Sequence, residues 1–415
     1  MKTTDLISKI MLMGALVATG CSSDNDEPNG VKEAERPKIE LTAREAKAAL
    51  DQRNFQIDMF SDYVSTGFAP TDTNLTISPL SSSVAMSILA NAADDETAKR
   101  VADIMDCDDL DALNDYNTKL LNYLPYEGIN AKLKLASNFW YNEKETIDPA
   151  FEARFTAIYG SKPQASPFDI TTVNSINKWV SDKTDRVFNS IVNMNTLNDL
   201  KDFFFANVLY YKGVWVNPFN SGKTTTKEFK SAYGTQNVAM MHQENHFKYS
   251  EVDGTKVVRL PYSGDHISMF VILPPESEDV IEFAKGLNSK KFNSLTADMF
   301  DPTVDLQLPK FKVLGDNALT KYLLSKGIST QNIVLSGAGL KNKIDFDMFQ
   351  KTMIEVDEKG TVLAAVTYPD GPTAPTPPTY VDFHANRPFI YVIQEEVSGA
   401  VLMAGIIRYI PKEKK

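Results

Sequence analysis

The chain has 415 residues, more than one domain usually holds, although large mixed folds can still form a single unit. With 43% hydrophobic and 23% charged residues, the composition excludes a largely disordered chain. A net charge of −11 argues against nucleic acid as a partner, because phosphate binding needs a basic face.

The N-terminus has the features of a targeting segment. Lys2 and Lys9 supply positive charge, and Ile10–Val17 is an apolar core too short to span a membrane as a helix. The segment ends in VATGC, and the small residues before Cys21 resemble the lipobox of bacterial lipoprotein signal peptides. An ordinary secretory signal with a chance cysteine is the alternative.

The lipobox resemblance implies a signal peptide over residues 1–20 and a lipid on Cys21. Residues 21–40 are acidic and polar and contain Pro and Gly, which predicts a flexible tether. The acidic stretch after the cysteine resembles the surface-export signal of some Gram-negative lipoproteins. We therefore expect an exported protein, anchored to the bacterial outer membrane through Cys21 alone, with cell-surface exposure as a further expectation.

Helical and extended patterns alternate in the first half of the mature chain. Leu41–Ser65 has apolar residues at helical spacing and predicts one or two helices. Asn74–Ala93 begins with a β-like triplet, after which Pro79 opens a helix rich in Ser and Ala. Three more elements are predicted: a strand at Leu133–Tyr141, a helix at Pro149–Tyr159 and an amphipathic helix at Val173–Val192.

Strand patterns dominate the second half. Phe203–Asn220 begins as a nearly continuous apolar run, which predicts a strand buried on both faces. The other predicted elements are a hairpin at Leu260–Pro274, a strand at Leu306–Phe311, a helix at Leu319–Gly327 and two apolar strands within 388–410 joined by a turn.

An unusual junction follows the extended segment that ends at Val356. Thr361–Tyr368 has almost no charge and no Gly or Pro, so it could join a sheet. Five prolines then fall between Pro369 and Pro378, which predicts a stiff, exposed tether. A segment suited to a sheet is thus attached to an exposed loop.

Several of these motifs, in this order, resemble the serpins over about 40–410. The most specific match is N-x-x-Y-x-K-G-x-W-x-x-P-F, formed by Asn207, Tyr210, Lys212, Gly213, Trp215, Pro218 and Phe219. A second motif, formed by Asn74, Ser78, Pro79 and Ser81, resembles the segment under the main sheet that is called the shutter. Trp215 would lie at the breach, where an inserting loop first enters the sheet.

The resemblance implies an α+β fold of one domain over 41–412, with three β-sheets, about eight to nine helices and an exposed reactive-centre loop over about 360–382. It also implies that the protein is not an enzyme. A serine protease, or a cysteine protease, would cleave the loop, which would insert into the main sheet and trap the acyl-enzyme. The hinge residues would be Glu358, Gly360, Thr361, Leu363, Ala364 and Ala365.

Counting from Gly360, as the resemblance implies, places the cleaved bond at Ala374–Pro375. A proline after the bond blocks most serine proteases, and the neighbouring Thr373–Ala374 bond suits an elastase-like enzyme that accepts small residues. We therefore expect a serine protease with a small-residue preference as the partner of a monomeric inhibitor.

Three departures from the family pattern keep other functions open. Leu363 is larger than the usual hinge residues, and Pro369 and Pro372 would each forfeit a ladder hydrogen bond. Gln350 stands where serpins usually have a shutter histidine. The alternatives are a non-inhibitory serpin whose loop is cleaved as a substrate, and a surface lipoprotein that binds glycans or nutrients.

Other chemistry finds little support in the sequence. His242, Glu244 and His246 would share one strand face and could hold a metal, but the zincin order is absent and a polar solvent face is favoured. The acidic neighbours of Cys107 raise the pKa of a thiol and disfavour a nucleophile. The sequence therefore predicts no catalytic residue, cofactor or metal.

Overall fold

Three β-sheets, a two-stranded ribbon and nine α-helices make up the residues that the computed structural model describes, which are 37–67, 73–195, 203–264, 266–361 and 379–411. The helices are α1 Ala43–Ser65, α2 Pro79–Ala92, α3 Asp95–Ile104, α4 Leu110–Tyr123, α5 Pro149–Tyr159, α6 Ile170–Lys183, α7 Val280–Lys285, α8 Ser289–Thr296 and α9 Leu319–Ser325.

The strands are β1 Leu75–Ile77, β2 Tyr126–Glu127, β3 Ala131–Asn142, β4 Gln164–Ser166, β5 Phe203–Val214, β6 Thr225–Ser231, β7 Gly234–His246, β8 Lys248–Val252, β9 Thr255–Pro261, β10 Ile267–Leu273, β11 Thr303–Pro309, β12 Phe311–Ala318, β13 Ile333–Leu335, β14 Leu340–Ile344, β15 Phe346–Val356, β16 Gly360–Thr361, β17 Tyr380–His384, β18 Phe389–Glu395 and β19 Val401–Ile407.

The largest sheet, here called the central sheet, has the order β12-β15-β5-β3-β2, with β16 beside β5 and β4 beside β3. A six-stranded sheet has the order β1-β19-β18-β10-β9-β8, and a four-stranded sheet has the order β17-β11-β7-β6. The ribbon is β13-β14. The expected α+β architecture with three main sheets is confirmed.

Strand β5 is buried on both faces, as its apolar run predicts. Phe203, Phe205, Leu209 and Tyr211 point into the larger of two hydrophobic clusters. Phe204, Ala206 and Val208 belong to the smaller cluster, which α6 covers with Val173, Ile176 and Val180. Helix α6 thus lies over the middle of the central sheet, and any strand added beside β5 would meet apolar surroundings on both sides.

Helix α2 begins where the sequence predicts. Pro79 occupies its first turn, where a missing N–H costs nothing, and the Ser78 side chain accepts a hydrogen bond from the Ser81 N–H. Every residue of α2 is buried, which its small Ser and Ala side chains permit.

The helix predicted over Val173–Val192 is wrong in its second half. Helix α6 ends at Lys183, and Asp185 and Arg186 have φ values of 51° and 65°. This left-handed conformation cannot continue a right-handed helix. In the described ranges, no helix combines the length and the apolar character that crossing a membrane requires.

Candidate functional site

The central sheet opens between two of its parallel strands. The register between β5 and β15 runs from Phe203–Phe346 to Val208–Lys351, and in the described part of the chain it stops there. Both strands continue to Val214 and Val356, while β5 keeps its partner β3 and β15 keeps its partner β12. We call the opening between β5 residues 209–214 and β15 residues 352–356 the slot.

The chain turns into the mouth of this slot directly after β15. Gly360 and Thr361 pair antiparallel with Val214 and Gly213 of β5, and the backbone N–H of Asp357 donates to the Gly360 carbonyl at 3.0 Å. The first two residues of the expected reactive loop therefore already form the start of a strand beside β5.

Only glycine fits at position 360. Its φ is +142°, in the region that L side chains rarely adopt. A Cβ there would collide with the Gly213 carbonyl oxygen and lie 2.7 Å from the Val214 Cα. The close approach of the two backbones at the slot mouth thus depends on a missing side chain.

Trp215 holds the turn that precedes Gly360. Its buried ring stacks on Tyr262, with centroids 4.3 Å apart and planes 18° apart. The indole Nε1–H donates to the Asp357 carbonyl at 3.1 Å, and the backbone N–H donates to the Lys359 carbonyl at 2.9 Å. Trp215, the residue expected at the breach, therefore holds the turn that leads into the mouth of the slot.

Glu358 ties the same turn to the four-stranded sheet. Its carboxylate accepts hydrogen bonds from Lys310 Nζ and the Thr224 hydroxyl, each at 2.8 Å. Partial burial is the largest single influence and works to raise the pKa of Glu358, but the hydrogen bonds from Lys310, the backbone and Thr224, with the Lys310 charge, together outweigh it, and the pKa lies below its usual value. Glu358 is therefore a fixed, ionised anchor at neutral pH.

A polar row crosses the central sheet just below the slot. Ser137, Asn207 and Gln350 are register partners on β3, β5 and β15. Asn207 Nδ2–H donates to the Ser137 hydroxyl at 2.8 Å, whereas its buried Oδ1 has no hydrogen-bond donor among the described residues. Any strand that separates β5 from β15 must pass between Asn207 and Gln350.

Gln350 connects this row to the start of α2. Its Oε1 accepts from the Ser78 N–H at 2.7 Å, and its Nε2 donates to the Ser78 carbonyl at 2.7 Å and to the Ser82 hydroxyl at 3.1 Å. The three bonds satisfy the fully buried amide. No proton is gained or lost at this position in the physiological pH range.

The sequence-predicted shutter residues separate into two groups. Ser78, Pro79 and Ser81 lie under the polar row, where Ser78 Oγ and Ser81 Oγ are 2.9 Å apart. Asn74 instead ties the chain after β19, because its Nδ2–H donates to the Tyr409 carbonyl at 2.9 Å and its Oδ1 accepts from the Arg408 N–H at 2.8 Å.

The remaining predicted residues lie outside the described ranges. They are the hinge residues Leu363, Ala364 and Ala365, the candidate cleavage residues Thr373, Ala374 and Pro375, and the lipidation residue Cys21. The chain is described again from Thr379, whose carbonyl accepts from the Thr303 N–H at 3.0 Å. Strand β17 then pairs with β11 at the edge of the four-stranded sheet. The two ends of the loop thus belong to different sheets.

The other predicted chemistry can be placed as well. Burial, and then the neighbouring carboxylates, raise the pKa of the Cys107 thiol, as its sequence context predicts. His242 meets Asp305 at 2.8 Å, while Glu244 and His246 are exposed further along β7. Sequence reasoning missed Lys310, Ser82 and Asp305, whose positions depend on sheet register and carry no local signal.

Comparison with known proteins gives one consistent result. Residues 51–410 match the family model described as Serpin (serine protease inhibitor). The chain is 28% identical over 351 residues to human antithrombin-III, covering 80% of this chain and 75% of that protein. It is 30% identical over 371 residues to Iris of Ixodes ricinus, covering 86% and 97%. The solved structure of the thermophilic serpin tengpin in its native state superimposes with a TM-score of 0.79 at 26% identity, covering 92% of this chain and 98% of that one.

Proposed function

Because the chain belongs to the serpin family, we propose that it inhibits a serine protease by inserting its cleaved reactive loop into the slot of the central sheet. The observation that carries this proposal is β16, where Gly360 and Thr361 already pair with β5 at the slot mouth. A loop whose first residues lie in register with an open strand edge can extend that pairing without searching for a new register.

Continuing the observed register defines the inserted strand. In that strand Leu363 would lie opposite Tyr211, Thr367 opposite Asn207 and Gly371 opposite Phe203, the first residue of β5. A cut between Thr373 and Ala374 lies just beyond this last pair. The released segment would therefore be long enough to line the whole of β5.

Geometry favours this insertion over the parallel pairing it would replace. The loop would run antiparallel to both β5 and β15, and antiparallel ladders are slightly more stable per residue. Residues with odd numbers would face the larger hydrophobic cluster with Phe205 and Leu209, and those with even numbers would face the α6 side. The sequence Val362–Tyr368 carries no charge to forbid either face.

Trapping of the protease depends on whether loop insertion is faster than hydrolysis of the acyl-enzyme. The protease serine would attack the Thr373 carbonyl, release the Ala374 amine and leave an ester between loop and enzyme. Water must then hydrolyse that ester for the protease to escape. Insertion that precedes hydrolysis would drag the attached protease along β5 and deform its active site. The protein is consumed in this process and has no turnover of its own.

A second candidate function is supported by the loop sequence. Leu363 would arrive opposite Tyr211, whose ring already packs against Tyr262 with centroids 5.1 Å apart. Pro369 would lack the N–H that its partner needs. Both features would slow insertion. If hydrolysis of the acyl-enzyme is faster than insertion, the loop is cut as a substrate and the protease is not trapped.

Incubation with a panel of serine proteases, elastase-like enzymes included, tests the proposal. We expect an SDS-stable complex and a released peptide that begins at Ala374. Ala365→Arg should be cut at the same bond but form no complex, because the arginine would be buried opposite Leu209. Thr379→Arg, at an exposed position beyond the cut, is the matched control and should trap normally. Cleavage without a complex in the wild type would establish the substrate function instead.

The proposed location is the outer membrane of a bacterium, with the lipid on Cys21 as the only membrane contact. The motif VATGC supports it. Cys21→Ala should move the protein from the membrane fraction to the soluble fraction. An unchanged distribution would refute the anchor without affecting the inhibitory proposal.

A further inference from the structure

Four metal-binding side chains meet on one face of the four-stranded sheet. The strand register pairs Asp305 of β11 with Asp382 of β17, and it pairs Gln307 of β11 with both His242 of β7 and His384 of β17. Register partners and residues two apart share a face of a sheet. Three strands thus bring two imidazoles and two carboxylates together from distant parts of the sequence.

The distances suit a metal ion. The potential ligand atoms of Asp305, Asp382 and His384 all lie within 4.8 Å of one another. His384 Nε2 is 3.2 Å from Asp305 Oδ2, and His242 Nε2 is 2.8 Å from Asp305 Oδ1. A tetrahedral zinc shell with bonds of about 2.0–2.2 Å separates its ligand atoms by roughly 3.4 Å. Asp305, Asp382 and His384 are therefore close enough to share one ion, whereas His242 contacts Asp305 but lies outside this group and would have to turn toward the ion.

His384 Nε2 contacts both an amide and a carboxylate. Lys227 Nζ donates to Gln307 Oε1 at 2.9 Å, which turns the Gln307 NH₂ group toward His384 Nε2 at 3.1 Å. With no proton on Nε2, His384 accepts this amide hydrogen, and the same lone pair could ligate a metal ion. With a proton on Nε2, His384 donates to Asp305 Oδ2 at 3.2 Å instead. Metal ligation requires the first form.

We propose that Asp305, Asp382 and His384 bind a Zn²⁺ ion, with His242 as the fourth ligand. A mixed set of imidazole nitrogens and carboxylate oxygens suits zinc, whereas Ca²⁺ and Mg²⁺ take shells of oxygen. The site differs from the His242, Glu244 and His246 group that the sequence suggests, since only His242 is common to both.

Zinc at this position fastens the far end of the reactive loop. Strand β17 begins one residue after the described chain resumes at Thr379, and in the described ranges its only ladder partner is β11. An uncut loop can fill the slot only by drawing β17 away from β11. The ion ties β17 to β11 and β7, so it opposes insertion before cleavage. Zinc binding itself does not depend on the inhibitory function.

Calorimetric titration of the metal-free protein with ZnCl₂ tests the site. We expect one ion per chain, at least tenfold weaker binding for His384→Ala and Asp382→Asn, and unchanged binding for His246→Ala. The last variant removes an exposed histidine of β7 that lies outside the cluster. Asp382 is exposed, so its variant folds even if His384→Ala does not. No zinc binding by the wild type, or equal binding by wild type and both cluster variants, would overturn the proposal.

Hydrogen exchange tests the fastening of β17. Zinc should slow amide exchange in residues 380–384 of the wild type at least threefold and should leave the His384→Ala exchange unchanged. MgCl₂ at the same concentration should have no effect. Zinc binding without slower exchange in β17 would refute the link to the loop. Because neither assay contains a protease, their outcome is independent of whether the protein inhibits one.

Discussion

Replacing Pro369 with threonine tests how far the cleaved loop enters the slot. If the loop inserted in the register of β16, Pro369 would lie opposite Phe205 of β5. The Trp215 N–H donates to the Lys359 carbonyl, whereas the Val214 N–H points the other way, to Asn130. Odd-numbered residues of β5 therefore direct their N–H and C=O groups into the slot. The Phe205 carbonyl would therefore lack a hydrogen-bond donor, because proline has no backbone N–H.

The size of the effect follows from this single missing bond. A buried acceptor left without a donor costs about 1–3 kcal/mol. Threonine supplies the N–H and favours a strand. For a chain of this length, each kcal/mol shifts Tm by about 2 °C, so the cleaved Pro369→Thr variant should melt roughly 2–6 °C above the cleaved wild type. The uncut variant should melt with the uncut wild type, because insertion has not yet reached this residue.

Differential scanning calorimetry of cleaved and uncut protein measures both values. Pro372→Thr is the matched control, since Gly371 is the last loop residue with a partner in β5. It should change neither Tm. Equal stabilisation of the cleaved protein by both variants would show that the register does not continue as inferred. No stabilisation by Pro369→Thr would show that the inserted strand stops short of Phe205.

Three further predictions concern the polar row at Asn207, the turn at Glu358 and the hinge glycine Gly360. Thr367→Val should lower the stability of the cleaved form alone by about 1–3 kcal/mol, measured by urea unfolding, because the Thr367 hydroxyl would supply the donor that Asn207 Oδ1 lacks. Glu358→Gln should destabilise the uncut protein at pH 7. Since the pKa of Glu358 is lowered in the folded protein, the difference in unfolding free energy between wild type and variant should shrink as pH falls below about 4. A difference that does not depend on pH would contradict the Lys310 pairing. Gly360→Ala should lower the Tm of the uncut protein by several degrees and slow complex formation, through a strained φ and a collision with Gly213, whereas Gly286→Ala, at a position with a negative φ and no tight contact, should change little.

Local sequence patterns correctly predicted several helices and strands. The apolar run of β5 shows that both its faces are covered, and Pro79 marks the start of α2 to the residue. These signals are local, because side-chain alternation and helix caps are set by neighbours within a few positions. The end of α6 was not predicted because no such local signal marks it. Asp185 and Arg186 adopt left-handed backbone without being glycine, and nothing in the local sequence demands it.

Contacts between distant strands could not be predicted in this way. Gln350 was singled out only because it departs from the family pattern, and its three bonds to the start of α2 depend on residues 268 and 272 positions earlier. The pairing of Glu358 with Lys310 is of the same kind. Register across a sheet decides which polar side chains meet, and a one-residue shift would change every partner.

On the proposed mechanism, the attachment of the loop at both ends would make cleavage the trigger for insertion. Strand β5 has 12 residues and is roughly 40 Å long. The four-stranded sheet, which holds the far end of the loop, meets the central sheet at the slot mouth through Lys310 and Glu358. If Gly371 lay beside Phe203, residues 372–378 would have to return to Thr379, but extended they reach only about 25 Å. On the proposed mechanism, the uncut chain would be too short to line β5 while β17 stays paired, and a cut at the Thr373–Ala374 bond would remove that limit without disturbing either sheet.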